Sequence, residues 1–254
     1  MRGIGSGMEI DPALAARNEL ATVVAEAWRV FDRYHFGRPI EVCRCNVCVS
    51  DEEYALLLKT PPHEMPASTL QAYTDSAHES TPTADDQYRA LLPRYFELCA
   101  KADWPAGSAE LSFRRLYHSN WRNWPANEVA VIERFFVALV AAWLHDDGPL
   151  GRTPADDILC LSVYAGGDVE PLLAVWDADH SLAGGLKLAC FIMSISWGKR
   201  VQRLGAFWDD APEMEQHVID WLRRPETRAK LTDAFFLTED VREQYLISEA
   251  EMVL

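Results

Sequence analysis

The chain has 254 residues, of which 49% are hydrophobic and 25% are charged, so it can bury a large core, and global disorder is excluded. Its formal charge of −15 at pH 7 repels phosphate backbones and anionic lipid surfaces, which disfavours nucleic-acid and membrane binding. The same charge favours solubility and a basic protein partner.

The N-terminus lacks the apolar core of a signal peptide, and the longest apolar run, 135–144, is too short to span a bilayer. We therefore expect a cytoplasmic protein, with a disordered segment over residues 1–10 and a single helical domain over 11–254. In a reducing compartment, its six cysteines are expected to be free thiols or metal ligands rather than disulfides. Cys99, Cys160 and Cys190 lie in apolar helical patterns, which predicts small buried side chains.

Apolar side chains recur at three-and-four spacing along most of the chain, which predicts amphipathic helices. The first begins at Asp11-Pro12, with Asp11 as N-cap, and runs to about Tyr34. Ser50 and Glu53 form a capping box that starts a short helix. Further helices are predicted at about 68–78, 86–101 and 108–118, with a kink or restart at Pro93 and an exposed linker, a possible internal boundary, at 79–86.

The most apolar helix follows a loop at 120–125. Its apolar stripe extends from Val129 to Leu144. Another apolar helix is predicted at about 181–197, where the pair Gly184-Gly185 would let a neighbouring helix approach closely. The remaining helices are predicted at about 154–164, 169–176, 212–223, 226–236 and 239–250. Because almost no stretch alternates with period two, the predicted fold class is all-α, either an irregular multi-helix bundle or a short α-solenoid of antiparallel helix pairs.

The most concentrated chemistry lies in the segment after the first helix, where Cys43, Cys45 and Cys48 follow a C-x-C-x₂-C pattern. Three thiolates in a tight loop suit tetrahedral zinc, and a fourth ligand must come from elsewhere. His78 is the first choice, His63 the second and Cys99 the third. A redox pair formed by Cys45 and Cys48 is an alternative, although the βαβ context of thioredoxin-like enzymes is missing, and unligated cysteines in a packed turn are another.

A second candidate site is His145-Asp146, at the end of the most apolar helix. In an all-helical protein this segment resembles the His-Asp pair of HD-type metal-dependent phosphohydrolases. The resemblance implies His118 as the earlier ligand and Asp177 or Asp179 as the later one. Pro125 and Pro149 depart from that family's layout, and a His-Asp pair at a helix end also fits the helix dipole without any function.

A third candidate is the loop containing Trp121, Arg122 and Trp124, because Trp and Arg dominate the hot spots of protein interfaces. Packing of the two tryptophans between helices is the alternative. No nucleotide-binding loop, nucleophile elbow or H-E-x-x-H pattern occurs, which argues against an ordinary kinase or hydrolase.

Three segments, namely the cysteine loop, 73–78 (YTDSAH) and 92–98 (LPRYFEL), together resemble a group of uncharacterised bacterial all-helical proteins. The resemblance covers mainly residues 40–145 and implies no activity. It favours His78 as the companion of the cysteines. We therefore expect a non-enzymatic, cytoplasmic, protein-binding protein of immunity or adaptor type with a zinc-stapled turn. The alternative is an HD-type phosphohydrolase.

Overall fold

The computed structural model describes residues 11–45, 47–77, 81–197 and 202–254. The described residues form twelve α-helices, which confirms the all-α prediction. The helices are α1 (Pro12–Phe31), α2 (Asp51–Lys59), α3 (Ala67–Asp75), α4 (Pro82–Cys99), α5 (Arg114–His118), α6 (Ala126–Leu144), α7 (Ala155–Tyr164), α8 (Glu170–Ala178), α9 (Leu182–Ser194), α10 (Pro212–Leu222), α11 (Pro225–Leu237) and α12 (Val241–Val253).

Five helices, α1, α2, α4, α9 and α12, begin where a side chain accepts from a free amide of the first turn. The side chain of Asp11 accepts a hydrogen bond from the amide of Ala13 at 3.0 Å, which starts α1. The predicted capping box is present at α2, because the Ser50 hydroxyl accepts from the Glu53 amide at 3.2 Å and the Glu53 carboxylate accepts from the Ser50 amide at 2.8 Å. The predicted starts of these two helices are thus confirmed.

Several predicted details differ from the structure. The helix predicted at 108–118 is α-helical only over Arg114–His118, after a 3₁₀ turn at Ala109–Phe113. Helix α4 begins at Pro82, within the segment predicted as a linker, because Thr81 caps it by accepting from the Ala84 amide. It also continues through Pro93 without a restart. Helix α9 ends at Ser194 rather than Trp197, and residues 196–197 instead form a short antiparallel strand, β1, that pairs with β2 at 202–203.

Helix α6 occupies the middle of the fold, and it packs against α1, α8 and α9. The rings of Phe135 in α6 and Phe96 in α4 stack at 3.8 Å between centroids. Helix α9 packs closely against the C-terminal pair α11 and α12. A Cβ at Gly185 would overlap the Cβ of Ala234 in α11, so this glycine permits the close approach that the sequence predicts.

One buried acid links three helices. Glu128, in α6, is fully buried, and its carboxylate pairs with Arg33 and lies 3.4 Å from Nε of Arg89 in α4. The hydroxyl of Tyr34 donates to the same carboxylate at 2.6 Å. Because a buried carboxylate requires partners, this network ties the segment just after α1 to α4 and α6.

Candidate metal centre

The cysteine loop follows α1 and precedes α2. The Sγ atoms of Cys43, Cys45 and Cys48 all lie within 4.8 Å of one another. Two backbone contacts shape the loop: the Cys43 amide donates to the Ala77 carbonyl at 2.8 Å, and the Cys48 amide donates to the Cys45 carbonyl at 3.3 Å. The first bond attaches the loop to the segment after α3, and the second closes a tight turn. The convergence of the three thiols, predicted from their spacing, is confirmed.

The arrangement matches the size of a thiolate metal site. A tetrahedral zinc ion with Zn–S bonds of about 2.3 Å holds its sulfurs about 3.8 Å apart. The limit of 4.8 Å on the three Sγ separations is therefore about 1 Å above the separation in a loaded site. The Sγ atoms would therefore have to approach by at most about 1 Å when an ion binds.

The loop also favours the thiolate form that metal binding requires. The amide of Val47 has the largest influence on Cys45, and it acts together with hydrogen bonds from the Cys48 and Cys43 thiols to lower the pKa of Cys45 to about 7. At Cys43 a backbone hydrogen bond from Cys45 lowers the pKa, but side-chain hydrogen bonds with Cys45 and Cys48 outweigh it, so the pKa is raised. The cluster therefore loses its first proton at Cys45.

The fourth ligand remains a prediction. His78 lies outside the described residues, and Ala77, which holds Cys43, is its neighbour in the sequence. His63 is exposed, 3.5 Å from Glu64, and Cys99 is fully buried. Neither is close enough to the three thiols to share their ion, because the thiols alone form such a group among the described residues.

The other three cysteines occupy different environments. Cys99 and Cys160 are buried as predicted, and burial raises the pKa of both thiols. Cys190 is exposed, so the prediction of a buried side chain is wrong there. It lies on α9 at a position that the neighbouring helices leave uncovered, and it serves as an internal reference for thiol chemistry.

The residues proposed for an HD-type site do not come together. Nε2 of His145 is 3.7 Å from Oδ1 of Asp179, but the Asp146 carboxylate instead accepts from the Gly151 amide at 2.9 Å. His118 lines a cavity beside Arg114. Asp177 pairs with a guanidinium, that of Arg224, at 2.7 Å. Among the described residues, this set forms no group close enough to share a metal ion.

The tryptophan loop is mostly internal. Trp121 is 1% exposed and Trp124 is 8% exposed, and their indole N–H groups donate to the carbonyls of Ala165 and Ser119, at 2.7 and 3.2 Å. The rings therefore pack between helices, which is the alternative that the sequence left open. Arg122 is exposed, so it is the only member of the trio available to a partner.

A more exposed apolar surface lies at the C-terminus, and sequence reasoning missed it. Phe236, Val241, Tyr245 and Met252 are between 65% and 79% exposed on α11 and α12. The spacing of Val241, Tyr245 and Met252 places them on one side of α12, and only the tertiary structure shows that these side chains stay exposed among the described residues. We call these four residues the C-terminal apolar face.

Comparisons with protein-family models, curated proteins and solved structures found no match to this chain. The expected group of bacterial proteins thus has no support beyond the cysteine cluster itself. Within the described residues, no helix has both the length and the apolar composition to cross a membrane.

Proposed function

We propose that the protein binds one zinc ion through Cys43, Cys45 and Cys48, as a structural staple rather than a reaction centre. The convergence of three Sγ atoms within 4.8 Å carries the proposal. Thiolate ligands suit zinc, and the amide hydrogen bonds to Cys45 are the kind of contact that stabilises metal-bound sulfur. His78 is the proposed fourth ligand, since it follows Ala77 and imidazole completes a Cys₃His site.

The staple would add to the hydrogen bonds that already hold the loop, in which the Gln87 side chain accepts from the Glu41 amide and donates to the Gly37 carbonyl, both at 3.0 Å. The described part of this loop, residues 32–45 and 47–50, contains no regular helix, and Cys45 is exposed. The loop nevertheless connects α1, which packs on α4 and α6, with α2, which packs on α3. A zinc ion bound there would join the loop to the segment after α3, and its binding energy would add to folding stability.

Substitution of cobalt for zinc tests this proposal. Full-length protein purified without chelator is stripped and loaded with Co²⁺, whose thiolate charge-transfer bands report sulfur ligands. We expect one equivalent to bind, with the bands lost in Cys43→Ser and Cys45→Ser and retained in Cys190→Ser, the exposed cysteine outside the cluster. His78→Ala should weaken binding. The proposal is overturned if no equivalent binds, or if binding is lost only in His145→Ala.

The C-terminal apolar face favours a second function, recognition of a basic protein partner. Exposed aromatic and aliphatic side chains that adjoin one another mark interaction sites. The segment 226–254 carries seven acidic and three basic residues, so the two helices that carry the face have a net negative charge. Electrostatic complementarity therefore selects a partner of opposite charge, as the total charge of the chain already indicates.

This second proposal needs a purified partner. Proteins captured by the full-length chain are identified, and each is then titrated in pure form against wild type, the variant Phe236→Asp/Tyr245→Asp, and Leu14→Asp, an exposed apolar position on α1. We expect a basic partner whose affinity falls with salt and is lost only in the first variant. Equal binding by all three proteins, or self-association through this face in sedimentation, contradicts the proposal.

A further inference from the structure

A cavity of about 510 Å³ lies beside the cysteine loop. Cys48 lines it from the loop, Asp75 and Ser76 from the end of α3, and Arg114, Arg115 and His118 from α5. Three basic side chains thus face one carboxylate in a protein whose total charge is −15. The cavity is an exception to the charge of the rest of the molecule.

The buried member of this set is Arg115, which is 2% exposed. Its guanidinium donates to neutral groups, namely the Tyr73 carbonyl and both the hydroxyl and the carbonyl of Ser76, at 2.9 and 3.3 Å for the latter two. It also lies 4.0 Å from the centre of the Tyr73 ring. Among the described residues, the Nε atom of Arg115 has no hydrogen-bond partner, and no carboxylate forms an ion pair with its guanidinium.

Burial of an unpaired cation is unfavourable, and the carbonyl and ring contacts offset only part of that cost. Arg89 provides a contrast within the described chain. Its side chain is 15% exposed, and the buried carboxylate of Glu128, 3.4 Å away, supplies its counter-charge. A negative group from outside the described residues would therefore stabilise Arg115, whose Nε has no hydrogen-bond partner among them. Arg114 and His118 stand at the more exposed side of the same cavity, where a ligand would enter.

The positive potential also acts on His118. Partial burial is the largest influence on its pKa, followed by the charges of Arg114 and Arg115, and all three lower it. The two guanidiniums are thus near enough to disfavour a third positive charge. An anion held between them would relieve that repulsion.

We propose that this cavity binds the oxyanionic group, phosphate or carboxylate, of a small ligand, held by Arg114, Arg115 and His118. Planar guanidinium groups hold the oxygens of such groups through paired, charge-assisted hydrogen bonds. Cys48 lines the same cavity, so the ligand lies next to the thiol cluster. The site is distinct from the zinc centre because none of its three basic residues is a proposed metal ligand.

Calorimetric titration of the full-length protein with inorganic phosphate and, separately, with malonate tests this site. Ionic strength is kept constant with sodium chloride. We expect saturable binding of one anion per chain, and the tighter of the two probes identifies the oxyanion class. Because each charge-assisted contact contributes tenfold or more in affinity, Arg114→Gln/His118→Gln should bind at least about tenfold more weakly. Arg122→Gln, an exposed arginine outside the cavity, should change the affinity less than about twofold.

The site is overturned if neither probe binds up to ~10 mM, or if the double variant binds as tightly as wild type while its circular dichroism is unchanged. Both variant positions are exposed, so folding should persist. Zinc content is measured on the same samples. Anion binding by a protein that carries no zinc would overturn the zinc staple alone, whereas a zinc-loaded protein that binds no anion would overturn the cavity proposal alone.

Discussion

Cys45 should react with a small disulfide reagent at a lower pH than an ordinary cysteine, because its pKa is lowered to about 7. At pH 7 it is half ionised, against about 3% for a free cysteine of pKa about 8.5. A thiolate of lower pKa is intrinsically less nucleophilic, here by about fivefold for a Brønsted coefficient of about 0.45. The net advantage in rate is thus about threefold at pH 7, and it disappears just below pH ~8, where the ionised fractions of the two cysteines differ by only about fivefold.

The assay is site-resolved modification of metal-free protein, with quenching and mass spectrometry at each pH. The rate at Cys45 should reach half its maximum near pH 7, ahead of Cys190, whose side chain is exposed but whose thiol is desolvated enough by nearby atoms to raise its pKa. Cys43→Ala and Cys48→Ala remove the side-chain hydrogen bonds to Cys45, so each should move its midpoint to higher pH. A midpoint at or above pH 8.5 in the wild type would refute the hydrogen-bonded arrangement of the three thiols.

Two further predictions concern stability. Glu128→Gln should lower the free energy of unfolding, measured in urea, by about 3 kcal/mol, because Arg33 and Arg89 lose their buried carboxylate. The control Glu133→Gln, at an exposed position, should lower it by less than ~0.5 kcal/mol. Similar losses in both variants would contradict the network. At Asp157, burial and then neighbouring carboxylates raise the pKa to about 6, so its contribution to stability is complete in acid and disappears as the pH rises through 6. Asp157→Asn should therefore stabilise the protein by about 1 kcal/mol at pH 8, after allowance for its partial exposure, and have little effect at pH 4; equal stabilisation at both pH values would exclude this cause.

Local signals predicted most of the fold. Asp11 and the Ser50–Glu53 capping box act within one helical turn, so the sequence alone identifies the helices they start. The three thiols are likewise close because the last cysteine follows the first by only five positions in the sequence. The close helix contact at Gly185 could be predicted because only very small residues fit where two helices pack this tightly.

Longer-range contacts decided the rest. The apolar pattern of α9 continues to Trp197, but pairing between residues 196–197 and 202–203 ends the helix earlier, and no local signal marks that pairing. Burial of Trp121 depends on Ala165, which is 44 residues away in the chain. The anion cavity was missed for the same reason, because Arg115 meets Ser76 across 39 residues.

The zinc content of the purified full-length chain tests the central claim most directly. The protein is prepared without chelator, desalted and measured by inductively coupled plasma mass spectrometry, with Cys45→Ser and Cys190→Ser prepared in parallel. The zinc staple predicts about one zinc per chain in the wild type and in Cys190→Ser, and almost none in Cys45→Ser. Equal zinc content in all three proteins, or none in the wild type even after incubation with excess zinc, would contradict it.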